Sequence, residues 1–324
     1  MTIIVTGAAG FIGAHLCKAL LKQGEKVVGI DNLNSYYSPD LKRARLALLS
    51  AEKAFTFYEL DFCDIAQLDG LGVGSVKTVV HLAAQAGVRY SIDNPRAYIK
   101  SNLLGHAEVL EYCRNAKSLD HLIYASSSSV YGGNTKVPFS ENDPVDRPVS
   151  LYAATKKSDE LMSHAYAHLY GIPQTGLRFF TVYGPWGRPD MAYWSFTEAI
   201  LKGQSIRVFN NGDMRRDFTY VDDVVGGVLN IVEQGPKPVE TGAPARVYNI
   251  GNNTPVPLME MIEVLEQALG MEAIKDFVPM QMGDVKQTYA DIDALERDYG
   301  FSPATPITVG LPRFVEWYRN YHQV

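Results

Sequence analysis

The sequence predicts an α/β fold, a doubly wound parallel sheet with a smaller interleaved C-terminal substrate domain, and three observations carry that expectation. Short apolar runs alternate with segments of helical period through the first half of the chain. A glycine-rich turn separates the first such run from the first such segment. After Tyr183-Gly184-Pro185 the pattern breaks into shorter elements divided by Gly, Pro and polar turns such as Asn210-Asn211-Gly212-Asp213.

In chain order, strands are expected at residues 3–6, 26–30, 55–59, 78–81, 121–125 and 174–179. Residues 11–23, 103–115 and 152–170 carry the helical period between them. Strands separated by helices pair in parallel through right-handed crossovers, which gives a doubly wound sheet. Further on, residues 247–250 predict one more strand, 258–269 and 312–321 helices, and 235–245 a surface loop. The chain thus divides into residues 1–182 and 183–324, with elements near 221–250 returning to the first part.

Composition narrows the functional classes. The chain has 324 residues, 46% hydrophobic and 20% charged, enough to bury a sizeable core. A net charge of −6 argues against nucleic acid or an anionic membrane surface as partner. Cys17, Cys63 and Cys113 have neither metal-ligand spacing nor the makings of a disulfide framework, so no metal and a reducing cytoplasm are expected. No basic and apolar leader opens the sequence, and no window reaches the ~20 apolar residues of a membrane span.

The glycine-rich turn is Gly7-Ala8-Ala9-Gly10-Phe11-Ile12-Gly13. Its three glycines permit a tight turn, approach of a pyrophosphate to backbone and close helix–strand packing; Phe11 and Ile12 open the helix whose N–H groups face the phosphates. This is the dinucleotide site of a Rossmann-type sheet. Asp31, followed by Asn32, ends the second strand where a carboxylate can bond the adenosine ribose diol. That carboxylate would repel a 2′-phosphate, so NAD is expected over NADP, and Arg43 and Arg45 lie too far downstream to reverse the preference. Asp61-Phe62, after the third strand, is placed to meet the adenine edge.

Tyr152 and Lys156 stand four residues apart on one face of a helix. A phenol is a poor base, and a cation beside it favours the phenolate. The fifth strand runs out through Ser126-Ser127-Ser128-Ser129, at the carboxyl edge where open α/β sheets bind ligands. Ser127 is the candidate to assist Tyr152 in oxidising a hydroxyl group. Asn102, in a helix, fits a structural or proton-relay role.

These features, with His81-Leu82-Ala83-Ala84, Arg178-Phe179-Phe180, Val182-Tyr183-Gly184-Pro185 and the run from Arg216 to Asp223, resemble the extended short-chain dehydrogenase/reductase family over the whole chain. Within it they resemble the nucleotide-sugar epimerases. Related dehydratases and decarboxylases carry an acid where this chain has Ser129, and galactose-type epimerases carry Asn where it has Thr181. The runs from Gln85 to Ser91, Gly187 to Ala192 and Gly212 to Thr219 look like the UDP-glucuronate 4-epimerases, soluble bacterial type.

The resemblance implies bound NAD, lined by Leu82, Ala83, Ala84 and Asn102 besides the residues above, and a transient 4-keto sugar. It implies Ser127, Ser128, Ser129 and Thr181 around a sugar carboxylate, and Gly87, Val88 and Arg89 on the substrate side. Arg188 and Arg216 would meet the diphosphate or uridine, and Gln281 and Asp284 its ribose. It further implies a homodimer packed through residues 103–112 and 161–169. Competing expectations are a UDP-glucose or UDP-N-acetylhexosamine 4-epimerase, or a dinucleotide-sensing regulatory protein, a class that loses the Tyr/Lys pair.

Overall fold

The computed structural model describes residues 2–239, 242–281 and 283–324. Its first elements are β1 (Thr2–Thr6), α1 (Phe11–Lys22), β2 (Lys26–Asp31), α2 (Pro39–Ala47), β3 (Phe55–Glu59) and β4 (Val76–His81). Two short helices follow, α3 (Tyr90–Asp93) and α4 (Pro95–Tyr98), then a π-helical stretch (Ile99–Leu104) leading into α5 (Gly105–Asn115). Next come β5 (His121–Ser127), α6 (Leu151–Tyr170), β6 (Gln174–Phe179), β7 (Thr181–Tyr183), α7 (Ala192–Leu201), β8 (Ser205–Phe209) and β9 (Arg215–Tyr220). The remainder is α8 (Val221–Gln234), β10 (Ala245–Ile250), β11 (Pro255–Pro257), α9 (Leu258–Leu269), β12 (Ile274–Val278), α10 (Asp293–Tyr299) and α11 (Ile307–His322).

Seven strands form one sheet in the order β10-β6-β5-β4-β1-β2-β3, parallel throughout. All of β1 is buried, as expected for a strand covered by helices on both faces, and its Ile3 pairs with Val27 of β2 and Thr78 of β4. The chain winds outward from β1 to β3, then crosses back to lay β4 on the other side of β1. The strand order reverses there, so the loops after β1 and β4 open a crevice at the carboxyl ends of the strands.

All seven strands expected from the sequence lie in this sheet. Residues 245–250 return to it as β10, which pairs with β6, and α8 contributes Val221, Val224, Val228 and Ile231 to the core that α1 shares. A second core gathers Tyr193, Trp194, Phe218, Leu265 and Phe314 from α7, β9, α9 and α11. Most ends fall within two residues of expectation, and two differences matter more. The last helix begins at Ile307, five residues before Pro312, whose exposed ring sits inside it rather than at its start. Ala245, expected as loop, already pairs with Gln174, while residues 240 and 241 of that expected loop lie outside the described residues. No helix among the described residues is long and apolar enough to cross a membrane.

Candidate active site

The glycine turn is held from both sides. Gly7 (φ +73°) donates its N–H to Ile30 O at 2.8 Å, and Gly10 N–H bonds Gly7 O at 2.8 Å. A Cβ on Gly7 would lie 2.9 Å from Ala83 N, and one on Gly13 only 2.0 Å from Gly7 O. Backbone therefore fills the space a side chain would need. No side chain caps the start of α1, so its first N–H groups are left for an anion. Gly13→Ala is expected to destabilise the fold by about 1–3 kcal/mol through overpacking and to weaken NAD binding, as thermal melting and calorimetric titration would read.

Asp31 closes this end. Its carboxylate accepts N–H bonds from Ala9 (3.2 Å) and Leu33 (2.9 Å). Burial pushes its pKa up, against the pull of Lys42 and these two N–H groups. Arg45, fully buried, donates to Ala9 O at 3.0 Å and to Trp186 O and Gly187 O at 2.8 and 2.7 Å. It thereby fastens the glycine turn to the segment that carries Arg188.

One cavity collects most of the expected cofactor residues: Gly7, Gly10, Phe11, Ile12, Gly13, Asp31, Asn32, Phe62, Leu82, Ala83, Ala84, Tyr152 and Lys156 all line it. Asp61 stands just outside, capping the turn that presents Phe62 by accepting from Cys63 N at 3.1 Å, and pairing with Lys100. Asn102 is buried and does not line the cavity. Its amide meets both Gln85 N and Gln85 O, and donates to Thr155 Oγ1 at 3.0 Å, so it ties the loop after β4 to α6. The glycine cradle and Asp31 fit a dinucleotide with a free ribose diol.

At the cavity's other end stand Ser127, Tyr152 and Lys156. Ser127 caps the single 3₁₀ turn Ser128–Tyr131, its Oγ accepting from Ser129 N at 3.1 Å. Ser150 caps α6 in the same way, accepting from Ala153 N, and so fixes the phase that turns Tyr152 and Lys156 to one face. Lys156 Nζ donates to Ala125 O at 2.9 Å and to Asp159 Oδ2 at 3.0 Å, leaving one N–H for a ligand. The Tyr152 ring meets Tyr98 edge-on at 6.0 Å. Tyr98 in turn donates to the carbonyls of Ala86 and Gly87, which sets the loop facing Tyr152.

Ser128, Ser129 and Thr181 adjoin residues that line the cavity without lining it themselves; Thr181 stands between Phe180 and Val182, which do. Arg188 does line it, paired with Asp190, which also accepts from Tyr36 Oη at 3.1 Å. The other nucleotide-side residues form a separate cluster. Arg89 sits 3.7 Å from Asp284 and over the Phe209 ring, and Asp284 acts electrostatically on Arg216. Val88 abuts Gly283, and the buried Gln281 Oε1 has no hydrogen-bond partner among the described residues. Gly87 holds φ +99° beneath the Tyr36 hydroxyl.

Tyr36, Gln85, Tyr98, Asp159 and Asp190 were not singled out as site residues by the sequence. Asp159, an acid one helical turn beyond Lys156, and Asp190, two residues beyond Arg188, carried local signals; the rest depend on contacts between distant segments.

Residues 3–251 match the NAD dependent epimerase/dehydratase family. UDP-glucuronate 4-epimerase 4 of Arabidopsis thaliana is 49% identical over 99% of this chain and 76% of its own length. A structure of UDP-glucuronic acid 4-epimerase from Bacillus cereus, in complex with UDP-glucuronic acid and NAD, superposes with a TM-score of 0.89 at 34% identity, covering 99% of this chain and 100% of that one. UDP-glucose 4-epimerase of Thermotoga maritima, with UDP-glucose, gives a TM-score of 0.86 at 31% identity, covering 99% and 100%.

Proposed function

The chain belongs to the NAD dependent epimerase/dehydratase family, and we propose that it interconverts UDP-glucuronate and UDP-galacturonate by inverting C4 through a transient 4-keto sugar. The observation that carries this reading is the composition of the cavity. Ser127, Tyr152 and Lys156 share it with the glycine turn, and Asp31, at the ribose end, is its only carboxylate among the described residues. Elimination would need an acid or base beside C5 besides Tyr152. No carboxylate besides Asp31 lines the cavity among the described residues, which supports oxidation at C4 followed by return rather than loss of a group.

Bound NAD supplies acceptance and return of the C4 hydride. Tyr152 takes the proton of the C4 hydroxyl and gives it back, with Ser127 bonding the same oxygen. Lys156 holds a positive charge behind the phenol and offers its remaining N–H to the nicotinamide ribose. Gly7, Gly10 and Gly13 admit the pyrophosphate, Phe62 and Asp61 border the adenine, and Asp31 bonds the adenosine ribose.

On the sugar-nucleotide side, Arg188, Arg216 and Arg89 meet the diphosphate and uridine. Gln281, with its unpartnered buried oxygen, and Asp284 meet the ribose. Hydroxyls of Ser127, which lines the cavity, and of Ser128, Ser129 and Thr181, which adjoin its lining, are proposed to hold the hexuronate carboxylate, keeping its charge from flowing into the 4-keto group and so suppressing CO2 loss. We also propose a cytoplasmic homodimer packed through α5 and α6, where Leu161 and Leu169 are 60% and 66% exposed.

Incubation with UDP-glucuronate, followed by NMR, is expected to give UDP-galacturonate and no UDP-pentose, with UDP-glucose turned over poorly. Efficient turnover of UDP-glucose and none of UDP-glucuronate would transfer the assignment to the neutral-sugar epimerases. Ser128→Ala and Thr181→Ala are expected to raise pentose formation severalfold; pentose at the wild-type level would remove the carboxylate role.

A further inference from the structure

Of the buried charges that the mechanism above leaves unused, one is bonded to a side chain of the proposed machinery. Asp159 sits one helical turn beyond Lys156, its side chain 1% exposed, with Oδ2 on the Lys156 ammonium at 3.0 Å. Its other oxygen, Oδ1, is buried without a hydrogen-bond partner among the described residues. Burial pushes this carboxyl up to about 6, against the opposing pull of Lys156. A carboxyl whose folded pKa exceeds its unfolded value of about 3.9 lowers stability at neutral pH by staying ionised. The pair is therefore a poor stabilising device, and its position behind the reacting end of the cavity points elsewhere.

We propose that Asp159 is a positioning residue that sets the redox poise of the bound dinucleotide. Its carboxylate cancels the charge of Lys156 and favours the oxidised, positively charged nicotinamide. An uncompensated Lys156 would repel that cation and favour the neutral reduced ring. For an enzyme that must hand the hydride back, excess stability of the reduced form strands the 4-keto sugar. Asp159 thus keeps the return step accessible, an inference that rests on the NAD half-reaction proposed above.

The titratable groups near the Lys156–Asp159 pair are each held in one state by burial or by a partner. His106 of α5 is held neutral by burial, with its pKa brought down to about 3, and His81 of β4 is lowered well below its usual value by burial and by His106. The phenols of Tyr124 in β5 and Tyr98 in α4 are pushed up by burial. Burial opposes ionisation of Glu160 on the same helix, but Arg178 of β6 outweighs it and keeps that carboxylate charged. Lys156 and Glu160 are the charges that act on Asp159 itself.

The test is an anaerobic redox titration of the holoenzyme followed by nicotinamide absorbance, comparing wild type with Asp159→Asn. Loss of the Asp159 charge is expected to move the oxidised-to-reduced equilibrium by about tenfold toward the reduced ring. For a two-electron couple that is about 30 mV, so the variant's midpoint is expected to lie higher by about that amount. In wild type the offset between bound and free couples should drift toward the variant's value from about pH 8 to about pH 5, as Asp159 protonates. In Asp159→Asn it should stay flat.

A folded variant with an unchanged midpoint overturns the proposal. So does a flat wild-type offset, which decides the matter even if the variant does not fold. Neither readout uses a sugar, so failure here leaves the substrate assignment intact, and failure of that assignment leaves this measurement valid.

Discussion

Tyr152→Phe is expected to lower kcat with UDP-glucuronate by about 10²–10⁴-fold, the range lost when a positioned acid–base group is removed. The substitution deletes one oxygen and keeps the ring that packs edge-on against Tyr98, so folding and NAD retention should be unchanged. The loss should fall on kcat rather than KM, because the phenol's proposed role is on the reacting oxygen, whereas the nucleotide is proposed to rest on Arg188, Arg216 and the residues around them. Turnover within threefold of wild type, with NAD still bound, would remove Tyr152 from the mechanism and with it the half-reaction on which the proposed function stands. Lys156→Met is a different experiment. Lys156 Nζ also bonds Ala125 O and Asp159, so that variant leaves a buried carboxylate without its cation and should lose stability as well as activity.

How much of this was legible in the sequence depended on the distance over which each constraint acts. The glycine turn, Asp31 and the Tyr152/Lys156 pair are local patterns whose meaning follows from a strand before or a helix after them, and the structure brings all of them into one cavity. The strands of the sheet were legible too, because helices on both faces demand continuous apolar runs. What escaped is set by chain folding. Arg45 reads in sequence only as a charge too far downstream to change the cofactor preference, yet it is buried and bonds carbonyls 141 and 142 residues away. Tyr36 reaches Asp190 across 154 positions to brace Arg188, and no local spacing signals that. Asn102, given a structural or proton-relay role by the sequence and a place by the cofactor by the resemblance, bonds Gln85 and Thr155, a pairing that exists only once α6 lies beside the loop after β4.

The same long-range logic gives the largest expected effect on stability, at Glu160 and Arg178. Glu160 accepts from Arg178 Nε at 2.8 Å and Nη2 at 2.9 Å, a two-point pair, and from Ser126 Oγ at 2.7 Å. Arg178 continues through Tyr131 Oη at 3.0 Å to Asn249 Oδ1 at 2.6 Å, and Asn249 donates to Phe139 O and Asp291 O. One network therefore locks α6, β5, β6 and β10 together directly behind the serine run. Both charged side chains are buried, 3% and 4% exposed, so neither is rescued by water when its partner goes. Glu160→Ala should destabilise the protein by about 3–5 kcal/mol, the cost of leaving a buried charge unpaired. Replacing both residues with apolar ones should cost much less than the single change, since no stranded charge remains. The pH dependence has a definite sign. Burial disfavours the Glu160 carboxylate, but Arg178 outweighs it and holds the folded pKa below its usual value. Its stabilisation is therefore present above the unfolded pKa of about 4.3 and lost as pH falls through the lower, folded one. Urea melts at neutral and acid pH would check this: the gap between wild type and Glu160→Ala should narrow in acid. A gap that is small at neutral pH, or constant with pH, would mean that packing rather than charge holds these four elements together.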